Sequence, residues 1–383
     1  MNKICKDPFR LFFPIGCVLG LLGNSIWPLF YINPQWLGFA TNTHRSIMIG
    51  GFLTAFVVGF LMTAVPRFTK THFATKQEIY LALAALFLSQ LGVLLKNESL
   101  FYTSTLLVYL FTVIFASQRF IKRKENPPST FIFVGAGILM FLFSSLALSF
   151  DLSPTAKKLF ESYFFQGGVL SLVIGIGGRL IPGIFGWTDI VQNQRKQYEQ
   201  PISFQKVIPK WIYGTLLLFI ISFPLEYLLN ETLGRSARAI VVSTYALFYW
   251  KLYKLPNELS LLTLFLWISS LCVFIGSWVY ALAPSLAIHG LHIIFIGGFS
   301  LMTFMVATRV TLAHGGGDKI LEKKSSVLLI SGLLISIATA SRLASGIFPE
   351  NYTGKLAISS SLWIAGLLVW SIFYIPKMIN PKS

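Results

Sequence analysis

Unbroken apolar runs, separated by short polar or basic connections, recur from one end of the chain to the other. They predict helices over residues 11–30, 46–65, 79–95, 101–117, 131–150, 162–185, 211–229, 237–250, 261–282, 288–306, 327–344 and 356–375. All but the eighth match the roughly 17–25 residues that cross a hydrocarbon core of about 30 Å. The runs are continuous rather than alternating, which favours helices over a barrel, because lipid leaves each backbone polar group to be bonded within its own segment. The pattern therefore predicts an all-α polytopic membrane protein of about twelve transmembrane helices, filling residues 1–383 as a single membrane domain.

Composition supports that reading. Of 383 residues, 55% are hydrophobic and only 12% charged, with mean hydropathy +0.70, which is too apolar for a soluble globule. The net charge of +17 changes the picture only through its placement. With both termini cytoplasmic, the inner connections hold three times as many Lys and Arg as the outer ones, as the positive-inside rule requires. The excess faces an anionic leaflet, so the implied partner is the lipid bilayer and not nucleic acid. The basic, apolar start lacks a small-x-small cleavage site and reads as the first span. Cys5, Cys17 and Cys272 form no C-x-x-C pair and read as filler rather than a thiolate site.

An internal repeat is suggested. The second, sixth and tenth spans carry glycine pairs near one end, at Gly50-Gly51, Gly167-Gly168 and Gly297-Gly298, and arginines near the other, at Arg67, Arg179 and Arg309. Four helices separate successive copies, so all three run in the same direction. This points to three four-helix units, over roughly 9–120, 129–255 and 258–376. The alternative is that paired glycines merely allow helices to approach closely.

The candidate chemistry lies in the histidines. Only five exist; His289 and His292 are three apart near the outer end of the tenth span, sharing a helical face, and His44 enters the second span from the same side. Neutral imidazole is a strong ligand for haem iron, copper or zinc, and imidazole in lipid needs a partner. His44, His289 and His292 are therefore candidate metal or haem ligands, against the plainer reading that each bonds a loop carbonyl at the interface. Arg45 is placed to meet a cofactor's carboxylates or, equally simply, lipid headgroups. Arg179, Arg309 and His314 form a possible second, inner anion or packing site, with interfacial anchoring as the alternative. His72 reads as a loop residue. The acids all lie in loops or near span ends, which argues against a proton pump or most ion-coupled transporters. GGGD at Gly315 lacks the lysine of a nucleotide loop.

The start DPFRLFF, the run from His44 through GFLMTAVPRFT, GGRLIPG in the sixth span and HIIFIGGFSLMTFMVATRVTLAHGG in the tenth resemble the NnrS family of bacterial membrane proteins. The resemblance implies a twelve-span inner-membrane protein that binds haem and copper and acts in the response to nitric oxide, beside denitrification or nitrosative-stress functions. Family members usually show His-x-His-Glu at the second span, where this chain has Asn42, His44 and Arg45. That departure weakens copper more than haem. The architecture is also similar to the catalytic subunit of haem-copper oxidases, in which helices two and ten hold haem and the sixth supplies a copper ligand; here Gln166 stands near that level.

These observations converge on a haem protein of the nitric oxide response, with His44 and His292 as axial ligands, His289 as a second-site ligand or hydrogen-bond partner, and Arg45 toward the propionates. No reaction and no redox partner is assignable from sequence. The rival readings are a permease for a metal, haem or small anion, and a scaffold without a cofactor.

Overall fold

The computed structural model describes residues 3–37, 40–198, 208–315 and 320–379. Part of the long polar connection before residue 210, the GGD segment after Gly315, and Lys206, Lys319 and Lys382 lie outside the described residues. Among those described there is no strand, and the protein is an all-α polytopic membrane protein.

Among the described residues, eleven helices are long and apolar enough to cross a membrane. With one more polar helix between the seventh and ninth, the order is α1 (Phe9–Ile32), α2 (Thr41–Thr69), α3 (Lys76–Leu94), α4 (Glu98–Ile121), α5 (Phe131–Leu148), α6 (Pro154–Phe185), α7 (Lys210–Leu228), α8 (Glu231–Phe248), α9 (Leu261–Leu282), α10 (Pro284–Gly315), α11 (Ser326–Ile347) and α12 (Tyr352–Ile379). The eighth is helical where the sequence predicts it, but begins earlier and carries Glu231, Arg235 and Arg238 in its first turns. Helix α6 also begins before its apolar run, because Ser153 caps the N–H of Ala156 and Pro154 sits at the first helical position. Capping fixes other starts too. Thr75 and Glu78 form a reciprocal capping box at α3, Asn97 caps α4, Asn230 caps α8, and Ser260 with Thr263 closes α9.

The chain divides into two compact units. The first comprises Met1–Leu19, Arg45–Pro182 and Thr188–Leu228; the second comprises Gly20–His44, Gly183–Trp187 and Leu229–Ser383. In the first, α3 packs along α4 and α4 along α5. Its core is aromatic, with Tyr109 stacked on Phe141 at 4.4 Å and Phe164 edge-on to Phe141 at 5.3 Å. The buried cation Arg119 is answered by Glu78 at 2.9 Å and by the carbonyls of Phe115 and Phe73. In the second unit, α9 packs on α8 and α10, and α11 lies along α12. Phe304 stacks on Trp370, whose indole N–H donates to Thr308 Oγ1 at 2.9 Å. Leu22, Phe143, Leu217, Ile337 and Ile372 are exposed, as lipid-facing positions are.

Three helices depart from α geometry. A π-helical stretch occupies Ser46–Leu53 in α2, Tyr163–Gly167 in α6 and Ile293–Ser300 in α10. Each coincides with one of the glycine pairs. A Cβ at Gly50 would stand 2.7 Å from the Phe101 ring, at Gly167 2.9 Å from Phe223, and at Gly298 2.7 Å from Val273, so these positions also serve close helix approach.

Candidate functional site

His44 is the fourth residue of α2, two residues before the π stretch begins, and His292 immediately precedes the π stretch of α10. A π turn inserts one residue into the helical ladder, re-aims the side chains on either side of it and recurs at functional sites. His44, His289 and His292 all lie in the second unit. His292 is within electrostatic reach of both other histidines and of Arg342. The three histidines and Arg342 thus fall in one unit within electrostatic range of His292, while among the described residues no hydrogen bond or ring contact joins His44 to the other two.

The rings are held differently. His44 Nδ1 lies 2.8 Å from the carbonyl of Gly23, with the Trp27 ring edge-on at 5.3 Å. His292 Nδ1 lies 2.7 Å from the carbonyl of Ile288, one turn earlier. A carbonyl can only accept, so Nδ1 carries the proton in both rings and the lone pair is left on Nε2. No described residue bonds either Nε2, and both side chains are partly accessible. His289 is different. Its Nδ1 faces two atoms of Arg342, the donor Nη1 at 2.7 Å and the acceptor backbone carbonyl at 3.0 Å, so these partners do not fix its tautomer. The ring is buried and wedged against Gly346, where a Cβ would run into it.

Arg45, the residue expected beside a cofactor's carboxylates, belongs to the first unit. Its two terminal nitrogens meet the two carboxylate oxygens of Glu161 at 3.0 and 2.9 Å, over the face of Phe165 at 4.5 Å. Of the proposed inner group, Arg309 pairs with Glu322 at 3.0 Å. Arg179 and His314 have interactions of their own. A cavity of about 750 Å³ in the first unit, bordered by Leu61, Thr112, Ile138, Phe160 and Leu216, contains no His, Asp, Glu, Lys or Arg in its wall and so offers no site chemistry.

The sequence matches the family described as NnrS protein over residues 3–382. The chain belongs to the NnrS family. No curated protein matches it.

The donors of this NnrS-family chain can be weighed against haem and copper. Two imidazoles from different helices, each pinned through Nδ1 to a backbone carbonyl and each presenting Nε2, are what axial ligation of a haem iron requires; the carbonyl partner fixes the tautomer and raises ligand basicity. Copper fits less well. Among the described residues no three His, Cys, Asp or Glu side chains are grouped to hold a metal ion, and His289 has its Nδ1 engaged.

Two features escaped the sequence reading. Arg342 counted there only as an outer charge, although it interrupts an apolar run between serines, in ATASRLAS. The π stretches left no trace but the glycine pairs, because a ladder shifted by one residue has no composition of its own.

Proposed function

We propose that the protein is a haem-binding integral membrane protein of the nitric oxide response, with haem held between α2 and α10 by His44 and His292. Family membership places the chain, at the level of family, among membrane proteins of the nitric oxide response. The observation that carries the haem assignment is the pair of imidazoles whose Nδ1 atoms are committed to Gly23 and Ile288 and whose Nε2 atoms are not committed. In this reading the protein lies in the inner membrane with both termini cytoplasmic, and the site faces the outer side.

A haem in this position supplies an iron that binds nitric oxide and exchanges one electron. The chain's own contribution is to fix two rings. Helix α1 holds His44 through Gly23 and Trp27, and helix α10 holds His292 through its own preceding turn. His289 serves as a partner of Arg342 rather than as a third ligand.

The test is haem and copper analysis of the purified full-length protein, with visible spectra before and after nitric oxide. The expected result is a Soret band at a haem-to-protein ratio near unity. Loss of even a ligand's hydrogen-bonding partner costs about 10- to 100-fold in affinity, so removing the ligand itself in His44→Ala or His292→Ala should lower haem affinity by more than about 100-fold. A colourless protein that carries metal or haem into liposomes would instead establish a permease.

A further inference from the structure

Arg342, near the outer end of α11, is buried and yet has no carboxylate to answer its charge among the described residues. The contrast within the molecule is direct. Arg10 pairs with Asp7, Arg45 with Glu161, Arg119 with Glu78 and Arg309 with Glu322. Burying a guanidinium without a counter-charge is costly, so a cation kept in this state calls for an anion from elsewhere.

The geometry shows which edge would receive it. Nη1 donates to Ser345 Oγ at 2.9 Å and lies 2.7 Å from His289 Nδ1, which also faces the Arg342 carbonyl at 3.0 Å. Nη2 has only the Tyr352 hydroxyl, at 3.5 Å, and the Tyr352 ring lies 5.8 Å from the guanidinium carbon. A guanidinium has five N–H groups. The described partners leave the Nε–H and one Nη2–H unused, and these two form the parallel fork that grips a planar carboxylate. His289 acts as a positioning residue: its ring is wedged between Gly346 and Arg342 and fixes the far side of the guanidinium, so the fork cannot swing away. Arg342 contacts His289, three residues before His292 on α10, and is within electrostatic reach of His44 and His292, so an anion at the fork lies at the end of the helices that carries the histidines.

We propose that Arg342 is the anion anchor of the histidine site and that its Nε–Nη2 edge grips a carboxylate of the ligand held by His44 and His292, a haem propionate. This rests on the haem reading above. The same fork chemistry would hold a free carboxylate or nitrite, so the experiment separates the two sources.

Full-length protein in lipid nanodiscs is titrated with haem and with haem dimethyl ester, whose propionates are capped, in the unmutated chain and in Arg342→Gln. The unmutated chain should bind haem at least about tenfold more tightly than the ester, since a hydrogen-bonded charge pair is lost. In Arg342→Gln the preference should vanish while the Soret position stays unchanged, because the axial rings are intact; Arg342→Lys should restore part of it. Equal affinity for acid and ester in the unmutated chain overturns the propionate, and this arm needs no variant, so misfolding cannot imitate it. Discrimination that survives in Arg342→Gln overturns the assignment to Arg342. Calorimetry with acetate and nitrite on haem-free protein supplies the second arm: anion binding lost in Arg342→Gln, with no acid-ester preference, keeps the anchor and assigns it to a free anion. Absence of a Soret complex in the unmutated chain is the separate failure of the haem reading, and absence of anion binding as well overturns the anchor.

Discussion

At the scale of single residues, what distinguishes the three histidines is what faces the same ring nitrogen, Nδ1. Carbonyls at Nδ1 leave His44 and His292 able to ligate through Nε2, whereas Nδ1 of His289 faces both the guanidinium and the carbonyl of Arg342, and its ring is buried against Gly346. Gly346 keeps His289 in this role, since any Cβ there meets the imidazole ring. Gly346→Ala should therefore lower stability by about 1–3 kcal/mol, the usual cost of overpacking, and weaken haem retention without moving the Soret band. Melting like the parent would show that the ring is not wedged. Glu161→Gln tests the competing cation. It removes the charge facing the partly exposed Arg45 and should cost about 1 kcal/mol or less in thermal unfolding, as partly solvated ion pairs do, with the haem ratio unchanged. A fall in haem content at unchanged melting temperature would return the propionate to Arg45. The histidines were legible in the sequence because there are so few of them and two share a helical stripe. Their ring orientations were not, since Gly23 lies 21 residues from His44 and no spacing rule connects the two.

At the scale of elements, the π stretches are what set the site apart from ordinary helix packing. They begin two residues after His44 and directly after His292 and recur in α6, so that one falls in each of the segments 9–120, 129–255 and 258–376; we propose that these are copies of one four-helix unit. Deleting Ile296 removes the inserted residue, restores α-helical pairing and turns everything before it by about 100° relative to the rest of α10, with a shift of about 1.5 Å. The expected outcome is a protein with native helicity by circular dichroism and native elution that no longer holds haem, because His292 has swung off its partner. Retention of haem would mean that the π stretch serves packing alone. The matching deletion within 163–167 of α6, which carries no histidine, should leave the haem ratio intact. Helix positions were legible because apolar length dictates them in lipid. The early starts of α6 and α8 were not, because Ser153 with Pro154 and Asn230 begin those helices in polar sequence that hydropathy assigns to loops.

At the scale of the whole molecule, the number of crossings decides whether a shared histidine site is possible at all. Helix α8 is the weak link: its 18 residues reach about 27 Å and its first turns bear Glu231, Arg235 and Arg238. If α8 did not cross, seven crossings would run from the start of α2 to the start of α10, and His44 and His292 would enter from opposite faces. With α8 crossing, eight crossings separate the two and both histidines enter from one face, in line with the electrostatic proximity of His44 to His292. The helix manages its charges at one end. Arg235 pairs with Glu231 at 2.7 Å and stacks over Tyr280 at 4.6 Å, and Arg238 lies over the same ring at 5.9 Å. Single cysteines introduced at Lys96, Leu229 and Lys355, after replacing Cys5, Cys17 and Cys272 with serine, should react with an impermeant maleimide from outside. Cysteines at Lys70, Lys254 and Lys377 should react only after permeabilisation. Labelling of 229 and 254 from the same side would remove α8 from the membrane, reverse every later helix, and place His292 on the face opposite His44, where no single haem could join them.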